Sequence, residues 1–406
     1  MTADTLLERI TDYANRPDPW PLYAELREAG PVVRQTDGSH LVGTYHEIVA
    51  LLHDPRISAD PRNRIIPSTE PRAGELPKPP FLRLDDPEHH RLRTLTMRPF
   101  GPPHTPARID SMRGEISRIA GELLASLRGR EQVDVVDDFA YPLPVTVICR
   151  LLGVPREDEP MFREWTDVIV AAADIGSQEE DTAERDKAGV LARQEMGQYL
   201  LNLADRRKDR PTDDMLSAYA NEPDEALRLT PDELATNAVL LLIAGHETTV
   251  NLITNGVLTL LRQPAQLNLL RREPGLLPRA VEELLRYEPP VHMRERFPLA
   301  DVDIAGTTLR KGSRVVLVMA SGNHDPARFT DPDRFDPTRP DNEHIGFGSG
   351  VHVCFGAPLA RVEVQTALGL LVPVLGEASL VQDPPPYRTN AMLRGPRHLP
   401  VRFGTG

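Results

Sequence analysis

Two cysteines, Cys149 and Cys354, serve a chain of 406 residues, and one of them sits in a setting suited to chemistry. The segment from Gly346 to Arg361 reads GFGSGVHVCFGAPLAR, so Cys354 lies among four glycines, two residues after His352 and just ahead of APLARVEVQTALGLL. Glycines permit a tight loop whose amides reach a neighbouring atom, and the apolar-periodic stretch that follows reads as a helix. Sulfur at a helix N-terminus, faced by amide donors, is stabilised as a thiolate. The loop is therefore expected to hold Cys354 as an anion. With no second cysteine nearby, a four-sulfur zinc or iron–sulfur site and a two-cysteine redox pair are both excluded. The role that remains is axial ligand to a heme iron. Cys149, within PLPVTVICRLLGV, reads instead as a small buried side chain on an apolar helix.

A second constellation interrupts an apolar run. AGHETT, Ala244 to Thr249, puts a glycine, an acid and two hydroxyls where a buried helix needs packing. Because Ala238–Ala244 is apolar on every side, Glu247 and Thr248 are expected to face an internal cavity. A hydroxyl that bonds the preceding turn, together with Gly245, would open a groove in mid-helix.

The pattern Phe347-Gly348-x-Gly350-x-His352-x-Cys354-x-Gly356 resembles the heme-binding signature of the cytochrome P450 monooxygenases. Other segments resemble the family in the same order. Ala244-Gly245-His246-Glu247-Thr248 looks like its oxygen-activating helix motif, and Glu283-Leu-Leu-Arg286 looks like its ExxR pair. That spacing also occurs at Glu88/Arg91, Glu115/Arg118 and Glu225/Arg228, where it reads as an ordinary solvated pair. What distinguishes Glu283/Arg286 is the downstream NHDPARFTDPDRFDPTR, ending at Arg339.

The resemblance implies site roles. Cys354 would ligate the iron of heme b; His89, Arg93, Arg296 and His352 would bind its propionates; Phe347, Gly348, Gly356 and Ala244 would complete the heme pocket. Glu247 and Thr248, with Gly245, would deliver protons for dioxygen activation, while Glu283, Arg286 and Arg339 would form a buried structural network. Substrate contacts are expected from Ile65–Leu84, Val168–Ile175, Val239–Ala244, Val291–Arg294 and Thr389–Leu393. Their apolar members Ile65, Phe81, Leu82, Leu240, Ile243, Val291, Met293 and Met392 suggest a mainly apolar organic substrate.

The elements that must position these groups are mostly helical. Helical periodicity dominates from about Ile109 to Tyr287, and TPDE at Thr230 gives an N-cap, a first-turn proline and a capping box. One helix is predicted from there to Leu261, before Gln263-Pro264. Pro31–Thr44, around Asp37-Gly38, reads as a hairpin. The expectation is a mainly α fold with small β-sheets, one P450 domain over 1–406, with a long central helix over the heme and the cysteine loop on its other face.

Composition bounds the rest. A formal charge of −13 argues against nucleic acid as a main partner. The acidic-and-basic opening, MTADTLLERITDY, does not read as a secretory signal. The longest apolar runs fall short of a membrane span, and scarce cysteine fits a reducing cytoplasm. A soluble, monomeric, cytoplasmic enzyme is expected, taking electrons from a separate ferredoxin and ferredoxin reductase and using NAD(P)H only through them. Arg361 and Arg98 are the candidate docking charges beneath Cys354. A peroxide-driven heme-thiolate enzyme and a heme-based gas sensor or carrier are the alternatives; the Glu247-Thr248 pair favours the dioxygen route.

Overall fold

A computed structural model describes residues 5–65, 79–101, 104–105, 107–172 and 182–403. The helices that frame the site are α1 (Glu88–Met97), α2 (Ala107–Ser126), α3 (Pro142–Leu152), α4 (Glu159–Ala172), α5 (Thr182–Asp209), α6 (Pro231–Arg262), α7 (Leu277–Tyr287) and α8 (Ala357–Val374). The architecture is mainly helical with small sheets, as the periodicity implies.

Helix α6 is the axis of the fold. The Thr230 side chain accepts from the Glu233 amide, and the Glu233 carboxylate accepts from the Thr230 amide, so both ends of the predicted capping box are made. The helix runs 32 residues, about 48 Å at 1.5 Å per residue, and crosses the whole core. Its C-terminal half, from Thr249 to Leu260, is buried on every side, because α3, α5, α7 and α8 all pack around it. The main apolar cluster forms there, joining Ile148 and Leu152 of α3, Val250, Ile253 and Val257 of α6, Leu284 of α7 and Leu368 of α8. Cys149 sits in this cluster fully buried, and burial pushes its thiol up.

A five-stranded sheet flanks the helices: β1 (Val32–Arg34), β2 (His40–Val42), β3 (Ile57–Ser58), β4 (Arg294–Pro298) and β5 (Val315–Leu317), ordered β1-β2-β5-β4-β3. The predicted hairpin pairs Val32 with Val42 and turns through Gly38 at φ 81°. Strand β4 pairs antiparallel with β5, setting Arg296 opposite Val315 and Arg294 opposite Leu317. Successive side chains alternate across a strand, so Arg294 and Arg296 share one face.

The ExxR pair is buried. Glu283 and Arg286 are fully enclosed on α7 and joined at 2.8 Å by two parallel bonds. Arg339 adds Nε at 3.1 Å to both Glu283 oxygens, and the Asp336 amide donates at 3.0 Å. The remaining Arg286 donors reach the carbonyls of Asn323, Pro332 and Arg334. Burying ions is tolerable only when each lone pair and proton finds a partner. This network ties α7 to the segment leading into the cysteine loop, where Asn323 also receives the Ile345 amide.

Helix α8 belongs to the core although it is apolar. The segment Ala357–Glu377 is, among the described residues, the one helix long and apolar enough to cross a membrane. It packs against α2, α6 and α7, and half of its apolar window is buried inside the fold.

Candidate active site

The cysteine loop is shaped by close backbone approach. Gly350 has φ 69°, and a Cβ there would lie 2.3 Å from the Leu52 carbonyl oxygen; a Cβ on Gly346 would meet the Leu285 carbonyl oxygen at 2.4 Å. No side chain fits either place. The Cys354 amide donates to the Phe347 carbonyl at 2.9 Å, closing the loop, and α8 begins three residues after the sulfur. Cys354 opens into a deep cavity. Burial pushes its thiol up, opposed by the Gly356 and Ala357 amides and by Arg93 and Arg294. The lowering expected from the helix end is present in the Gly356 and Ala357 amides but is opposed by burial.

Across the cavity stand Ala244, Gly245, Thr248 and Thr249 of α6. The Thr248 hydroxyl donates to the Ala244 carbonyl at 2.7 Å, the back-bond expected from this motif. Glu247 does not join it there. Neighbours on a helix point about 100° apart, so with Thr248 on the cavity Glu247 turns into the protein. It is 2% exposed, ion-paired to Arg388 at 2.9 Å and reached by the Asn251 amide group at 3.5 Å. Burial raises its pKa and Arg388 works against that rise. His246, stacked edge-on to Tyr141 at 4.2 Å, is pushed down to about 3 by burial.

At the cavity edge the rings of His89 and His352 lie 4.1 Å apart, with Arg93 and Arg296 beside them. Nε2 of His89 and Nδ1 of His352 are buried without a hydrogen-bond partner among the described residues. Burial and the neighbouring cations depress His352 to about 3, and burial lowers Arg296 to about 10. Orphaned donors beside two guanidiniums fit a pair of carboxylates. Together with a single sulfur on a largely apolar cavity, this donor set fits heme.

Of the expected apolar contacts, Phe81, Leu82, Leu240, Val291 and Met392 line the cavity. Three do not. Ile243 packs against the main core, because the cavity stripe of α6 runs Leu240, Leu241, Ala244, Gly245, Thr248. Met293 is buried with Leu41, Val316 and Ala391, and Ile65 is 66% exposed, bonding the Gly312 carbonyl through its amide. Residues 66–78 and 173–175 of the predicted substrate segments lie outside the described residues. Phe347, Gly348 and Gly356 line the cavity around Cys354. The expected docking charges are compensated: Arg361 is held by Glu282 at 2.7 Å, and Arg98 stands 3.4 Å from Glu222.

The sequence reading missed Arg388 and Glu363, and gave no role to Arg83 although it falls within the predicted segment Ile65–Leu84. Arg83 and Glu363 line the cavity, as does Arg294, which ends a predicted segment but had no assigned role. The i, i+2 spacing of Arg294 and Arg296 was the available signal for a shared face. Nothing local marks Arg388.

A single thiol and a helix groove on one cavity are what a heme-thiolate protein needs, and the chain matches the Cytochrome P450 family over residues 30–398 and belongs to it. It is 41% identical over 401 residues to the cytochrome P450 monooxygenase PikC of Streptomyces venezuelae, covering 96% of this chain and 92% of that protein. It is 38% identical to the 6-deoxyerythronolide B hydroxylase of Saccharopolyspora erythraea, covering 94% and 95%. Among solved structures, ligand-free CYP164A2 of Mycobacterium smegmatis superposes with a TM-score of 0.88 at 37% identity, covering 98% and 99%. The protein is an oxidoreductase, a cytochrome P450 monooxygenase, with bacterial hydroxylases among its relatives.

Proposed function

We propose that the chain binds heme b through Cys354 and inserts one atom of O2 into a mainly apolar small organic substrate, drawing electrons from a ferredoxin and its reductase. The observation that carries this reading is that Cys354 and Thr248 line one cavity, with unpartnered ring nitrogens of His89 and His352 beside it. His89, Arg93, Arg296 and His352 would hold the propionates; Phe347, Gly348, Gly356 and Ala244 would bound the ring.

A bound heme supplies the oxidation chemistry on dioxygen that no side chain can perform. Cys354 would hold the iron of that group and supply electron density to it. Thr248 holds a proton at Oγ1 for delivery into the cavity once it releases the Ala244 carbonyl. Glu247 would restock that proton from solvent, which requires its carboxylate to swing away from Arg388. Phe81, Leu240, Val291 and Met392 orient the substrate and exclude water.

The test is the absorption spectrum of purified protein, reduced and exposed to carbon monoxide, beside Cys354→Ala. A strongly red-shifted Soret band that the variant lacks supports the assignment. A band at the histidine-ligated position, or no heme at all, refutes it. Product formation with ferredoxin, reductase and reductant, compared with peroxide alone, separates the dioxygen route from a peroxygenase.

A further inference from the structure

The cavity carries more positive charge than heme accounts for. Four guanidiniums line it, those of Arg83, Arg93, Arg294 and Arg296. Heme brings two propionates, and the cluster of His89, His352, Arg93 and Arg296 matches those two. Arg83 and Arg294 are left over.

Neither leftover arginine has an acidic partner among the described residues. Arg294 pairs with β5 through its backbone alone; burial, then Arg83, holds its guanidinium below the usual range, with Cys354 as its opposing charge. Arg83 ends the short helical turn Phe81–Arg83, with Phe81 buried and Arg83 exposed. Arg193 of α5 adds a third cation. It is lowered by burial and then by Arg83, with Asp186 as its opposing charge.

The acids that might answer them are committed elsewhere. Glu295, also on the cavity, is bonded by Arg314 at 2.5 Å. Asp85 receives the Ser58 hydroxyl, the Ala59 amide and the Asn63 side chain. Glu363 is buried, and burial raises it toward the neutral form. Like charges gathered at a half-buried rim cost stability unless a ligand answers them. A partly desolvated guanidinium is also the group best shaped to bind a carboxylate through two bonds.

We infer that the substrate is an amphiphilic organic acid, its carboxylate held by Arg83 and Arg294 and its apolar body laid along Leu240, Val291 and Met392. This names the substrate class for the heme-thiolate reading above and rests on it. This charge would set specificity: a neutral ester of the same shape would leave both arginines unanswered, Arg294 partly desolvated, and a cationic analogue would be repelled.

The experiment titrates heme-loaded protein with dodecanoate, methyl dodecanoate and dodecyltrimethylammonium, reading affinity from both the Soret shift and calorimetry. Dodecanoate should bind about tenfold more tightly than the ester, the fold-change of a single charged contact. Raising ionic strength should narrow that gap. In Arg83→Glu the acid should lose its advantage and the trimethylammonium compound should gain. Arg294→Gln should keep its heme and lose the preference for the acid; loss of heme from it would overturn the assignment of Arg294 to substrate. Equal affinity for acid and ester, or an unchanged preference in Arg83→Glu, overturns the proposal. Calorimetry needs no chromophore, so a missing heme-thiolate band and a missing acid preference are separate failures.

Discussion

Replacing Glu283 with alanine should destabilise the protein by about 3–5 kcal/mol, the range for removing one partner of a buried pair. The structure explains why the upper half of that range applies. Glu283 and Arg286 are 1% and 0% exposed, and Glu283 also holds Arg339, the Asp336 amide and the Asn342 side chain at 3.3 Å. Its loss leaves two guanidiniums and two amide groups without their acceptor, with the Arg286 charge sealed from water. Glu225→Ala is the control, because Glu225 and Arg228 share the ExxR spacing. That pair stands 3.6 Å apart, 89% and 49% exposed. Exposed pairs of this kind contribute about 0–1 kcal/mol. Urea unfolding followed by circular dichroism, at matched heme content, should move the Glu283→Ala midpoint by on the order of 1 M and leave Glu225→Ala near wild type. Equal shifts in the two variants would refute the reasoning, since spacing alone and not burial would then govern the pair.

Thr248→Ala should retain heme and substrate binding while diverting reducing equivalents to peroxide; unchanged coupling of electrons to product would remove Thr248 from proton delivery. Arg388→Gln should move the pH dependence of coupled turnover to higher pH, because Arg388 opposes the burial that raises Glu247, and Arg388→Lys should restore it. A pH profile identical to wild type counts against Glu247 as the relay. Burial alone would raise Glu282, but its bonds from Arg361 and His344 outweigh that and hold it down to about 2. A depressed carboxylate stabilises the fold above its unfolded value of 4.5 and loses that contribution as pH falls toward 2. Glu282→Gln should therefore be less stable than wild type at neutral pH, by about 2 kcal/mol after allowing for partial exposure, with the gap closing at pH 2. His246 also costs stability as pH falls from 6.5 toward 3, so the difference between variant and wild type is the quantity to follow.

Much of the frame was legible because its signals are local. The Thr230–Glu233 capping box and the Gln263-Pro264 stop set the bounds of α6, and both depend on residues a few positions apart. The cysteine loop was legible for the same reason: glycines whose places a side chain cannot occupy leave few alternatives. The ExxR pair was not legible by spacing, which four segments share; the downstream segment to Arg339 distinguished it. The substrate wall resisted reading where apolarity fixes burial but not direction. Ile243 and Leu240 are equally apolar members of one helix, and only the helix phase, anchored by Thr248, sends one to the cavity and the other to the core. Arg388 reaches Glu247 from a distant loop, a tertiary contact with no local trace.

Charge shows why composition speaks to surroundings and not to sites. The chain is acidic overall at −13, yet four arginines line its cavity. The two facts are compatible because the acids that line the cavity are already answered or neutralised, Glu295 by its bond from Arg314 and Glu363 by burial, while acids dominate the surface. Glu282, Asp341 and Asp383 pair with Arg361, Arg328 and Arg262, all at partly or largely exposed positions, where solvent screens each contact. Inside the cavity screening is weaker, and each unmatched guanidinium acts at greater strength on whatever enters. Net charge therefore governs long-range behaviour, whereas the leftover charge of the cavity governs choice among substrates. An acidic ligand meets mild repulsion on approach and strong attraction at Arg83 and Arg294, so its preference over a neutral analogue should appear mainly in slower dissociation, with little gain in association rate.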